Sequence, residues 1–178
     1  AFRPEYLADA VSHGATLYVS EQKFDLNTEV PYILVSDVRK AMPYLGKLFY
    51  NDPSKDLNLI GVGGTKGKST TAYYVKAIVD DYMASLGKKE SAVISSIDVS
   101  VGITTVESHI TNPAHIELMQ HFRNAVDSGI DFLEMEVSSQ VFTFGSVEQI
   151  LFDAAFFLKI SADHLRPIEH PDFEDSFS

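Results

Sequence analysis

The stretch Leu57-Asn58-Leu59-Ile60-Gly61-Val62-Gly63-Gly64-Thr65-Lys66-Gly67-Lys68-Ser69-Thr70-Thr71 decides the fold. Leu57 to Val62 is an apolar run of strand length, and the glycines at 61, 63, 64 and 67 then let the backbone turn sharply with its N–H groups converging. A helix is predicted to follow. Such a turn offers unpaired N–H donors and the positive end of a helix dipole, which suits a phosphate chain. Lys68 then stands as a point charge for the terminal phosphates and the Ser69 hydroxyl as a magnesium ligand, with Gly64, Thr65, Lys66, Gly67 and Thr70 completing the candidate nucleotide-binding loop. A strict P-loop register asks for glycine five residues before Gly67, where Val62 stands, so a tight turn without a ligand is the competing reading. The strand before the loop and the amphipathic helix after it favour a nucleotide.

With 178 residues and 45% hydrophobic content, the chain has material for one sizeable core and part of another. Its 25 acidic and 14 basic residues give a net charge of -11, which repels nucleic acid and anionic membranes. A phosphate-binding field must therefore be local. Without cysteine there is no disulfide, thiolate metal site or thiol nucleophile, which fits a reducing, cytoplasmic setting. No apolar run has the length of a membrane span, and no leader pattern opens the chain. The first residue is Ala1 and the last six are Phe173-Glu174-Asp175-Ser176-Phe177-Ser178, from which a fragment is expected.

Ahead of the loop, Pro4 to Gly14 reads as a helix, Thr16 to Val19 and Pro31 to Val35 as strands, and Asp37 to about Tyr50 as a helix capped by Ser36. Pro43 predicts a kink or a break in that helix near Met42. Residues 51–56 are polar and turn-rich, and the boundary is placed there: residues 1–56 form one partial domain and residues 57–178 the first part of another. Arg39, Lys40 and Lys47 read as a solvated face.

Behind the loop, Ala72, Val75, Ile78, Val79, Met83 and Leu86 have helical spacing and are expected in the core, with Gly87 as the stop. Ala92 to Ser96 reads as a strand, whereas residues 98–107 have no clear period. Asn112 and Pro113 open a helix that buries Ile116, Met119, Phe122 and Val126 and ends at Gly129; His115 and His121 read as surface residues. Ile130 to Val137 is a strand carrying Glu134 and Glu136, and Phe152 to Ile160 reads as a further buried strand leading to His164. Polar groups at the C-terminal ends of parallel strands are where open α/β sheets hold their chemistry. Lys68 and Ser69, Glu136 and His164 are thus expected on one rim. The alternation predicts an α/β fold: a mostly parallel sheet with helices on both faces, preceded by part of a smaller α/β domain.

Four tracts resemble the Mur ligases: residues 63–71 (Gly-Gly-Thr-Lys-Gly-Lys-Ser-Thr-Thr), 107–113 (Glu-Ser-His-Ile-Thr-Asn-Pro), 135–140 (Met-Glu-Val-Ser-Ser-Gln) and 163–175 (Asp-His-Leu-Arg-Pro-Ile-Glu-His-Pro-Asp-Phe-Glu-Asp). The family's loop has the same glycine spacing as this one. The resemblance implies an ATP-dependent ligase of peptidoglycan synthesis, adding the third amino acid to UDP-N-acetylmuramyl dipeptide through an acyl phosphate. It implies that Lys68 binds the β- and γ-phosphates, that Ser69 and Glu136 hold one magnesium ion and His164 a second, and that Thr111, Asn112 and Ser138 contact the dipeptide. Asn112 stands where the family has threonine, and Ser146 where it usually has arginine. The resemblance further implies a partial UDP-binding domain at residues 1–56, an ATP-binding domain from residue 57, a carbamylated lysine beyond residue 178 and a separate C-terminal domain. The isolated chain is then expected to be inactive. Other Mur-like ligases, of folylpolyglutamate or cyanophycin type, and a non-catalytic nucleotide-binding module are the alternatives.

Overall fold

The computed structural model describes residues 4–25, 29–102, 105–107 (backbone only), 115–138, 147 and 149–159. The chain divides into two compact units, Ala1–Met42 and Pro43–Ser178.

The first unit holds α1 (Pro4–Ser12) and a parallel pair, β1 (Tyr18–Ser20) with β2 (Tyr32–Leu34). The Tyr18 and Tyr32 rings stack at 5.6 Å between centroids, and the Tyr18 hydroxyl accepts from the Phe24 N–H at 3.2 Å. Helix α2 (Val38–Phe49) begins here and is capped by Asp37 rather than Ser36: the Lys40 N–H donates to Asp37 Oδ1 at 3.2 Å. Of the kink or break expected at Pro43, the break is absent, since α2 runs through it. A proline removes one helical donor, and the packing of the surrounding turns decides whether the helix continues.

The division between the units falls at Met42 and Pro43, upstream of the sequence boundary at residue 56. Residues 51–56 are built into the second unit. Asn51 and Asp52 take positive φ values of 56° and 46°, and Pro53–Asp56 forms a 3-10 turn with Pro53 and Ser54 buried. Lys47 belongs to this structure as well, bonding to Gln149 O at 2.9 Å and pairing with Asp52 at 3.5 Å.

The second unit is a six-stranded sheet in the order β6-β5-β4-β7-β3-β8. Strands β3 (Asn58–Gly63), β4 (Ala92–Ile94), β7 (Phe132–Val137) and β8 (Ala154–Phe157) are parallel; β5 (Asp98–Ser100) and β6 (Thr105–Glu107) add antiparallel edges from the stretch that showed no period. Three-residue strands are too short for alternation to register. Helices α3 (Lys68–Ser85) and α4 (His115–Asp127) supply the cover.

The core joins Leu133, Met135 and Val137 of β7 to Leu118, Met119, Phe122 and Ala125 of α4, together with Leu59, Ile94, Val147 and Ile150. Each large side chain fully removed from water contributes about 1.5–3 kcal/mol. Alternation sends Glu134 and Glu136 out of the opposite face of β7.

Burial departs from the sequence reading in four places, the first being Ile116 of α4, 37% exposed where its spacing put it on the buried face. Ile78 and Leu86 of α3 are 70% and 52% exposed, in line with exposed Tyr74 and Tyr82, while Ala72 and Met83 face the sheet. A helix apolar on several faces gives no period that chooses between them. Strand β8 pairs with β3 and is exposed throughout, not buried. His115 is buried rather than on the surface, its Nε2 lying 3.0 Å from Pro43 O, and the His121 ring is largely enclosed, where burial lowers its pKa.

Candidate functional site

Gly63 ends β3 and Gly67 opens α3, so the turn between them is the loop that the sequence marks. Gly64 and Gly67 have φ values of 129° and 86°, in the region where a Cβ is strained. At Gly64 there is also no room: a Cβ would stand 3.1 Å from Leu158 Cβ and 3.1 Å from the Lys159 N. The loop is tied down there, for the Thr65 N–H and hydroxyl both donate to Lys159 O, at 2.7 and 2.8 Å, and the Leu158 N–H donates to Gly63 O.

Gly67 supplies no side-chain cap to α3, which leaves the helix N-terminus available to an anion. Lys68 lies back along the loop, its Nζ donating to Gly64 O at 3.0 Å. Ser69, on the first turn, has its hydroxyl 3.3 Å from Ser96 Oγ. Ser96 in turn meets Glu136, donating from its N–H to Oε1 at 3.0 Å, with its hydroxyl 3.4 Å from the same oxygen.

Glu136 is 1% exposed and stands near the C-terminal end of β7, beside the end of β4 that carries Ser96. The structure thus brings Ser69 and Glu136 to one place, linked by a residue that sequence reasoning passed over as the end of a strand. The available signal was topological: adjacent parallel strands present their C-terminal residues together. Ser138 follows β7, partly exposed. Thr111, Asn112, His164 and Ser146 lie outside the described residues.

The turn bearing Ser96 is fixed from several sides. Ser95 donates its N–H to Asp98 O at 2.9 Å, and its hydroxyl accepts from the N–H groups of Ile97 and Asp98 at 3.0 and 3.1 Å. From α3, the Tyr73 hydroxyl donates to the Asp98 carboxylate; burial and that carboxylate raise the tyrosine pKa.

Among the described residues no group of three or more His, Cys, Asp or Glu side chains is placed to hold a metal ion. The donors that do converge are a hydroxyl and one carboxylate, hard oxygens of the kind that hold magnesium when phosphate oxygens complete its shell. The residues present therefore fit a magnesium–nucleotide complex better than a metal held by protein alone.

A mostly parallel sheet whose first central strand runs through a glycine turn into an uncapped helix defines an α/β domain of P-loop type. A family model, the Mur ligase middle domain, matches residues 62–177. The chain belongs to the Mur ligase family. It is 43% identical over 175 residues to the UDP-N-acetylmuramyl-tripeptide synthetase of Bifidobacterium longum, covering 98% of this chain and 33% of that protein. Against the UDP-N-acetylmuramoyl-L-alanyl-D-glutamate--L-lysine ligase of Streptococcus agalactiae it is 39% identical, covering 99% of this chain and 35% of the relative. The chain thus spans about a third of the length of the curated relatives it matches. A solved UDP-N-acetylmuramoyl-L-alanyl-D-glutamate--2,6-diaminopimelate ligase superposes with a TM-score of 0.71 at 20% identity, over 97% of this chain and 33% of that one. MurF from Acinetobacter baumannii follows with a TM-score of 0.57 at 17% identity, over 96% of this chain and 32% of its own. Both likenesses concern the fold.

Proposed function

We propose that this chain is the nucleotide-binding part of an ATP-dependent ligase that adds the third amino acid to UDP-N-acetylmuramyl-L-alanyl-D-glutamate in the cytoplasm. One observation carries the reading: the glycine loop runs into a helix end without a side-chain cap, and the first turn of that helix brings Ser69 to a buried carboxylate, Glu136, through Ser96. The names of the similar proteins support the choice of substrate class. The division of labour is UDP binding by the domain to which the first unit, Ala1–Met42, belongs and ATP binding by the second unit, which carries the loop.

In this reading the N–H groups of the loop and of the first turn of α3 bind the phosphate chain, and Lys68 leaves Gly64 O to meet the β- and γ-oxygens. Ser69 and Glu136 hold magnesium, which when bound offsets charge on the transferred phosphoryl group. His164 has the corresponding part at a second ion, and Thr111, Asn112 and Ser138 contact the muramyl dipeptide. The dipeptide's carboxylate attacks the γ-phosphorus, ADP leaves, and the amine of the incoming amino acid displaces phosphate from the acyl phosphate. The chain's contribution is positioning and charge neutralisation.

The test is ADP formation by the full-length protein with UDP-N-acetylmuramyl dipeptide and either lysine or meso-diaminopimelate, against a folate substrate. Dipeptide-dependent turnover that Lys68→Ala abolishes is the expected result. Turnover with folate alone, or unaltered turnover by the variant, overturns it.

A further inference from the structure

Ser96 is open to solvent, yet it touches a carboxylate that is almost wholly buried. Its place does not depend on its own side chain: the bonds within residues 95–98 and the Tyr73–Asp98 contact hold the turn. The Ser96 hydroxyl is therefore spare for another purpose. It stands 3.3 Å from Ser69 Oγ and 3.4 Å from Glu136 Oε1, and the Ser96 N–H already binds that same carboxylate oxygen at 3.0 Å.

We propose that Ser96 is the positioning residue of the cation site, holding Ser69 and Glu136 in register for one divalent ion that accompanies a nucleotide. This rests on the nucleotide reading above and adds a residue to it. Two bonds to one oxygen, from the Ser96 N–H and hydroxyl, set the rotation of the Glu136 carboxylate. The polarity of the relay matters as well. With the Ser69 O–H donating to Ser96 Oγ and the Ser96 O–H donating to Glu136, the lone pairs of Ser69 are turned outward to a cation. Removing the Ser96 hydroxyl takes away its contact with Ser69 and one of the two bonds from Ser96 to Glu136, while the glycine loop keeps its own bonds to Lys159. Partners that orient metal ligands in this way typically change metal affinity by about 10- to 100-fold when lost.

The experiment titrates a fluorescent ATP analogue onto the chain across a range of magnesium concentrations, for wild type, Ser96→Ala, Ser96→Thr and Lys68→Ala, with thermal unfolding of each. Ser96→Ala is expected to raise the magnesium concentration for half-maximal tightening by about tenfold. Its metal-free nucleotide affinity and its unfolding midpoint should stay at wild-type values, and Ser96→Thr, which keeps the hydroxyl, should restore the magnesium response. An unchanged magnesium midpoint in Ser96→Ala overturns the proposal, as does an equal loss of affinity with and without magnesium. If Lys68→Ala binds as tightly as wild type, the nucleotide reading itself fails, and that outcome is separate from any result at Ser96.

Discussion

Glu134 and Glu136 leave the same face of β7 two residues apart, and they meet opposite fates. Glu136 receives the Ser96 N–H at 3.0 Å, whereas neither carboxylate oxygen of Glu134 has a hydrogen-bond partner within the described structure, although its side chain is wholly buried. Burial pushes the Glu134 pKa up to about 7, against the smaller opposing effects of Ser91 and Lys76.

The pH consequence has a definite sign. The folded pKa of Glu134 lies above its ordinary value of 4.5, so between those two pH values the folded state binds more protons than the unfolded one. Stability from this group is greatest below pH 4.5 and is lost as the pH rises through about 7. Glu134→Gln, which mimics the neutral acid, should match wild type at about pH 4 and exceed it by roughly 1–3 kcal/mol at about pH 8 in urea unfolding. Equal stability of the two proteins at pH 8 would contradict this.

Asp80 behaves in the opposite way. Burial works against its charge, but the Lys76 ammonium at 2.6 Å and the N–H and hydroxyl of Ser91 at 2.7 and 2.8 Å outweigh it and lower the pKa. The stability it contributes is present above its ordinary pKa of 3.8 and is lost as the pH falls through the lower folded value. Asp80→Asn should cost about 1–3 kcal/mol at pH 7, and calorimetric unfolding should show the gap from wild type closing in acid.

At Gly64 both conformation and space are against a side chain, with φ at 129° and a Cβ 3.1 Å from Leu158 Cβ. Gly64→Ala should destabilise the second unit by about 1–3 kcal/mol and weaken nucleotide binding. The same change at Gly87, where φ is 67° but nothing lies within 4 Å of a Cβ, should leave nucleotide binding unchanged. Binding titrations of the two variants separate loop shape from general loss of stability.

Much of the second unit was legible because local signals agree with the fold there. The apolar run before the glycines became β3, and Met119 and Phe122 of α4 lie in the core as their spacing indicated. The failures have physical causes. Ile78 and Leu86 are apolar residues on a helix whose faces the sequence does not distinguish, and periodicity is blind to what covers each face. Helix α2 continues through Pro43, so of the kink or break expected there the break is excluded; a proline lowers helix propensity without forbidding the helix. In the candidate site, Lys68, Ser69 and Glu136 stood out through the loop motif and a strand end. Ser96 did not, since its part follows from β4 lying next to β7, a long-range pairing that no local pattern encodes.

The central claim, that the loop ahead of α3 grips the phosphates of a nucleotide through Lys68, is tested most directly by the equilibrium binding of ATP to this chain and to its Lys68→Ala variant in the presence of magnesium. Saturable binding by the wild type and at least a tenfold weaker Kd in the variant, about 1.4 kcal/mol, is the predicted result. Equal affinities, with both proteins folded, would contradict it.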